Sequence, residues 1–408
     1  MKKLLYTLSI GVLLISCSDN NDPEVITDPP VDTVLQGTLT TDLTLTKDKI
    51  WELKGRVIVG GGTTLTIEPG TIIKGQAGTG TQASLLLIAR DAKIKAEGTA
   101  SEPIIFTSIS DNIEIGQKSG TNLSENDRGL WGGLVVLGNA PGSFKGNVSE
   151  VQIEGVVATD VNGLYGGDNS ADNSGVLKYI SIRHGGAEIS PDNEINGLTL
   201  GAVGSGTVVD HIEVVANVDD GIEFFGGSVN ASNLVVWAAG DDGLDIDQAY
   251  SGTITNSVVA LGNASDHALE IDGPEGSLEG QFTIDGLTLI GNTTTERGEY
   301  GDFRDGAMGT TKNVFAYGFR ADADVELDND GVATNYTNGK LVFNNWQIVL
   351  PEGVSSSASI FADKSEIGST FGADASNFSS AVTSESKTTG ANLSVFTWTL
   401  ADVNNALE

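Results

Sequence analysis

Asp219-Asp220-Gly221-Ile222-Glu223-Phe224-Phe225 recurs 22 residues on as Asp241-Asp242-Gly243-Leu244-Asp245-Ile246-Asp247. It recurs again 25 residues later as Asp266-His267-Ala268-Leu269-Glu270-Ile271-Asp272. Upstream, Asn196-Gly197-Leu198-Thr199-Leu200 holds the same register, and Asp322-Ala323-Asp324-Val325-Glu326-Leu327-Asp328 returns to it after a longer insertion. A second apolar run precedes each turn, at 212–215, 234–237, 258–261, 287–290 and 314–317. Short β-rich runs repeating at this interval are the arithmetic of stacked parallel coils. No 3.6-residue apolar period persists over a helix length in the body of the chain, and the turns lack the two-residue hairpin pattern. The frame of leucine-rich repeats and the nonapeptide calcium frame of β-rolls are both absent from the sequence.

Composition sets the outer limits. The chain has 408 residues, 53 Gly, 9 Pro and 1 Cys, with 22 Lys+Arg against 55 Asp+Glu and a formal net charge of -33. Such a polyanion is unsuited to nucleic acid, whose phosphates require cationic side chains. One cysteine excludes a disulfide framework and a thiolate zinc cluster. Hydrophobic residues at 39% supply enough apolar material for a sizeable core. No run reaches the roughly 18 apolar residues of a spanning helix.

The chain opens with Lys2, Lys3 and the apolar run 4–15, which reads as an export signal over 1–16. Leu14-Ile15-Ser16-Cys17 resembles the lipobox of bacterial lipoproteins, which implies acylation at Cys17. Residues 17–35 are acidic, then rich in Pro and Thr, and read as an extended tether. The acids directly after Cys17 resemble the surface-export signal of Bacteroidota lipoproteins. That resemblance implies membrane attachment through a lipid, at the outer membrane and facing outward.

Further motifs carry a second resemblance. Trp51-Glu52-Leu53, Gly62-Thr63-Thr64-Leu65-Thr66-Ile67-Glu68-Pro69-Gly70-Thr71, Ala96-Glu97-Gly98-Thr99-Ala100-Ser101-Glu102-Pro103-Ile104-Ile105-Phe106 and Trp131-Gly132-Gly133-Leu134 are similar to coils of right-handed β-helix surface lipoproteins of Bacteroidota. The likeness runs from about residue 36 to about 330 and implies fold and location, not a reaction. The expected fold is all-β, a single-stranded right-handed parallel β-helix solenoid with 22–25-residue coils. It is expected to span 36–339, with 340–408 forming terminal coils or a cap over the last open edge.

Side chains alternate across a strand, so inward Leu244 and Ile246 put Asp245 and Asp247 outside. Stacked in register, Glu223, Asp245 and Glu270 form one outward column that Glu326 extends. Asp247 and Asp272 form a second, and Asp219, Asp241 and Asp266 a third. Strands sit about 4.8 Å apart. Carboxylates at that spacing repel by about 1 kcal/mol in a water-like dielectric and about 3.5 kcal/mol at a dielectric of 20.

Three readings follow. In the plainest, turn residues such as Asp219, Asp220, Asp241 and Asp242 bond to backbone N–H groups, and Glu223, Asp245 and Glu270 form a solvated face. In the second, Glu223, Asp245, Asp247, Glu270 and Asp272 hold a hard cation such as calcium, which takes six to eight oxygens. In the third, Asp219, Asp220, Asp241, Asp242, Asp266 and His267 are the acids of a polysaccharide hydrolase or lyase. Carboxyls about 5 Å apart suit retention and wider pairs suit inversion. Phe225, Trp237 and Tyr250 are the candidates for a sugar-binding groove. Four arginines, Arg183, Arg297, Arg304 and Arg320, are expected to pair with nearby acids. Function is thus expected to be the binding of glycan, cations or another envelope protein on an acidic face. The alternatives are the enzyme or a structural accessory subunit of an outer-membrane uptake complex.

Overall fold

The computed structural model describes residues 33–408 apart from 157–158, 190–194 and 296. The signal, Cys17 and the tether as far as residue 32 lie outside the described residues. Among the described residues, twenty-four strands join in one sheet, and its neighbours pair in parallel. The chain is a parallel β-helix.

Two stacks of strands matter for the site. In one, Leu134–Leu137, Leu198–Gly201, Ile222–Phe225, Leu244–Asp247, Leu269–Ile271, Gly301–Phe303, Val325–Leu327 and Phe361–Asp363 pair in succession. In the other, Gly175–Arg183, Val208–Val215, Ala231–Trp237, Thr253–Ala260, Phe282–Ile290, Gly309–Tyr317 and Leu341–Ile348 do so. Apolar residues with almost no exposure, among them Leu198, Ile222, Phe224, Leu244, Ile246, Leu269 and Ile271, fill the interior.

The glycine of the Asp-Asp-Gly turn is set by coil stacking. A Cβ at Gly221 would run into Val236 and the Gly243 carbonyl, and one at Gly243 into Val259 and the Ala268 carbonyl. The second stack bends in mid-strand at left-handed residues: His211 (φ 56°), Asn233 (φ 57°), Asn256 (φ 51°), Asn313 (φ 56°) and Asn345 (φ 55°). Asparagine tolerates that conformation, and its amide then bonds across coils. Asn256 Nδ2 donates to Asn233 Oδ1 at 2.6 Å, and Asn233 Nδ2 to Asp210 Oδ1 at 2.7 Å.

The terminal region, expected as further coils or a cap, contains elements of both kinds. Leu341–Ile348 and Ser379–Ala381 continue the parallel stack. The helices Asp330–Thr337 and Phe371–Phe378 then close the end, packing Tyr336 and Phe371 against Phe343. The final residues run back along the outside as a strap. Ala391 N–H donates to Thr288 Oγ1 (2.9 Å), Asn392 N–H to Asn256 Oδ1 (2.6 Å) and Ala401 N–H to Glu213 Oε1 (2.9 Å). Phe396, Ala401 and Leu407 cover Val235, Val258, Ala260 and Ile290. No helix among the described residues is long and apolar enough to cross a membrane.

Candidate functional site

The outward column of the first stack is acidic over five successive strands: Glu223, Asp245, Glu270, Asp302 and Glu326. Asp302 is an addition to the sequence reading, which carried the column from Glu270 directly to Glu326. The strand Gly301–Phe303 supplies an extra coil inside the supposed insertion. Its first inward position is glycine, so it lacked the paired apolar signal.

This face is not solvated. Glu223 is 5% exposed, Asp245 8% and Glu270 9%. They lie in a cleft of about 470 Å³ with Asp219, Asp220 and Asp241 at the turns, and with Val218, Gly240, Glu154 and Arg297 completing the lining. Glu154 comes from the excursion that carries the small antiparallel pair Val151–Gln152 and Leu164–Tyr165. Its place beside Glu223 was invisible in sequence, because no repeat register links them.

The turn residues do two jobs. Asn196 Oδ1 accepts from Asp220 N–H (3.2 Å), Asp220 Oδ1 from Asp242 N–H (3.0 Å) and Asp242 Oδ1 from His267 N–H (2.7 Å). This side-chain ladder fixes the coils in register. Asp242 Oδ1 also lies 2.9 Å from His267 Nδ1. Burial works against charge on His267, but the Asp242 contact prevails and holds its pKa up to about 9. Burial likewise opposes charge on Asp242, yet the hydrogen bonds from His267 and Glu270 leave its pKa lowered. Glu270 is pushed up by burial and by that bond to Asp242, so it keeps the proton the two share. At the rim, Arg297 Nη2 lies 2.7 Å from Asp241 Oδ1 and also contacts Asp266.

Asp220, Glu223 and Asp245 form the deepest group. One oxygen of each lies within 4.8 Å of the others. Burial raises all three pKa values well above the carboxylate range, and the neighbouring acids raise them further. Glu223 hydrogen-bonds to Asp245, which requires a proton on one of them. Asp245 Oδ1 is sealed from solvent with no hydrogen-bond partner. Orphaned buried oxygens are rare and call for a physical cause.

The second column is split. Asp247 is held up to about 7 by burial and by Asp272. Asp272 lies 3.1 Å from Arg304 Nε, and Arg304 also contacts Glu270 and stands 3.7 Å from Asp302. Asp302 is raised to about 7 by burial. Arg304 thus supplies the counter-charge at one end of the wall, and its reach does not include the Asp220, Glu223 and Asp245 group.

The aromatic candidates do not line a groove. Tyr250 is 1% exposed, in the core, and donates to the Val229 carbonyl at 2.7 Å. Two left-handed residues, Gln248 (φ 53°) and Ala249 (φ 63°), break the strand alternation and turn it inward. Phe225 faces outward but lies under Tyr165, at a ring separation of 6.1 Å. Trp237 belongs to the other stack, beneath the strap.

Arg183 pairs with Glu213 (3.9 Å) and Arg320 with Asp322 (2.9 Å). His184 is buried at a bend, and its Nδ1 lies 2.8 Å from the Asp127 carbonyl. His211 stacks on Tyr179 at 4.1 Å.

No curated protein and no solved structure matches the chain. One family model does, over residues 37–401, nearly the whole of the described coil stack. Together with the parallel register above, that match makes this chain a member of the pectate-lyase-like β-helix domain family.

Proposed function

We propose that the chain is a lipid-anchored cell-surface protein whose β-helix presents a cation-binding acidic cleft, with calcium as the ion its donors fit. The observation that carries this reading is the unpartnered Oδ1 of Asp245 beside Asp220 and Glu223. The donors are all carboxyl oxygens, which suit a hard cation and not a soft one. Bound there, calcium supplies the positive charge that lets these three groups ionise side by side. Among the described residues the cleft lining contains no aromatic side chain, which favours a cation over a sugar platform. The lipobox-like sequence ending in Cys17 supports the anchor.

Two measurements test the reading. Calcium should raise thermal stability by mass action, about 2.7 kcal/mol at 100 times its dissociation constant, and magnesium should raise it less. Replacing Glu223, Asp245 and Glu270 together by Gln should abolish that gain. An equal gain from sodium chloride at matched ionic strength would sink the cation reading. For the anchor, Cys17→Ala should abolish incorporation of a fatty-acid analogue in cells; undiminished labelling would refute it.

A second reading, action on a polysaccharide, rests on the family and on Asp247 and Asp302. Both are held near pH 7, where a carboxyl can give and take protons. Under it, Asp247→Asn and Asp302→Asn each lose turnover on an acidic or neutral glycan. Absence of new reducing or unsaturated ends from a glycan panel, with calcium present, would remove it.

A further inference from the structure

The cleft contains two acidic trios that share a member. Asp220, Glu223 and Asp245 make the buried one, and Asp219, Asp220 and Asp241 make another at the rim, again with one oxygen of each within 4.8 Å of the others. The buried trio has an independent sign of a ligand, the sealed and unpartnered Oδ1 of a side chain more than nine-tenths buried in the cleft lining. The rim trio differs in one respect: a cation already reaches it. Arg297 lines the same cleft, sits 2.7 Å from Asp241 Oδ1 and bridges to Asp266 on the next coil.

Resting on the cation reading above, we propose that Arg297 is the tethered second cation of a two-cation centre and limits the cleft to one divalent ion. Asp220 belongs to both trios, so the two cations are coupled through it. A divalent ion in the buried trio and a guanidinium at the rim repel each other, and each lowers the affinity of the cleft for the other. Guanidinium suits the rim because its planar fork spans two carboxylates and it is only weakly hydrated. Arg297 is also 54% exposed. An ion pair that open contributes little to folding, so its loss should register in ligand binding rather than in stability.

Isothermal titration of calcium chloride into the full chain, at fixed ionic strength, tests this with the parent, Arg297→Gln and Arg297→Lys. The parent should bind one ion per chain. Arg297→Gln should take up a second ion, or bind the first roughly tenfold more tightly. Arg297→Lys keeps the charge and should stay close to the parent. Calcium binding that is the same in number and affinity for parent and Arg297→Gln would overturn the role of Arg297 and leave the cation reading standing. Heat-silent titrations with no stabilisation in either protein would overturn both. A weaker affinity in Arg297→Gln would mean that Arg297 organises the acids instead of competing, which also overturns the proposal.

Discussion

Glu213 and Glu223 stand on consecutive strands, on different outward faces of the β-helix, and both are buried. They are accommodated in opposite ways. Glu213 accepts from Ser181 Oγ at 2.5 Å and from the Ala401 N–H at 2.9 Å, and it faces Arg183 at 3.9 Å. Glu223 has the Asn196 amide as a donor, but its charged neighbours are Asp245, Glu154, Asp220 and Asp247, all of the same sign. One face is closed by an apolar strap, the other opens into a cleft. The contrast separates two kinds of buried acid. Where burial is structural, the fold supplies the counter-charge itself. Where the face stays open, Glu223 has only acids as charged neighbours, and burial together with those acids raises its pKa.

The largest expected effect probes which side of the strand the acids occupy. Ile246→Asp puts an unpaired carboxyl in the core beside Asp245 and should cost about 5 kcal/mol. Asp245→Asn should cost little in the metal-free protein, since burial and the neighbouring acids already hold that carboxyl in its neutral form. Equal shifts in denaturant unfolding would erase the distinction between inside and outside. Next, Arg183→Met leaves Glu213 buried without its cation and should cost about 3–5 kcal/mol. A loss within the error of urea titration would show that Glu213 needs its cation no more than Glu223 does, and the comparison would break.

The most gradual effect is a pH slope, at most about 1.4 kcal/mol per pH unit for each group. Asp247 and Asp302 are held at about 7 in the folded chain against 3.8 ordinarily, and His267 at about 9 against 6.5. In each case the folded state binds its proton more tightly than the unfolded state. The stability they contribute is therefore complete below the unfolded pKa and is lost as pH rises through the folded one. For the two acids the loss runs from pH 3.8 to about 7, and for the histidine from pH 6.5 to about 9. The melting temperature without metal should fall across that span, and Asp247→Asn should flatten its acidic part. Melting that rises steadily from pH 5 to pH 8 would contradict the electrostatics of the cleft.

The repeat was legible because it is local. Asp-Asp-Gly turns and alternating Leu244, Asp245, Ile246 and Asp247 declare register, and the strands pair as that register requires. What escaped the sequence depends on contacts between distant segments. Glu154 reaches the cleft through an excursion with no repeat, and the strap meets Glu213 across 188 positions. Tyr250 lies inside and not in a groove because two successive left-handed residues invert the alternation that holds elsewhere. Burial of the outward acids was missed because a strand pattern reports which way a side chain points and not what later covers it.

The strap changes how the molecule behaves as a chain. A simple solenoid is a line of units in which each coil holds only its neighbours, so its ends peel off one coil at a time. Here the last residues return to the middle and tie the strands Phe282–Ile290, Thr253–Ala260 and Val208–Val215 to the terminus. Fraying of the terminal coils must therefore pull against contacts made far from the end. The N–H that Glu213 accepts belongs to Ala401, so a chain still growing carries an open flank at its centre until the segment around residue 401 has emerged.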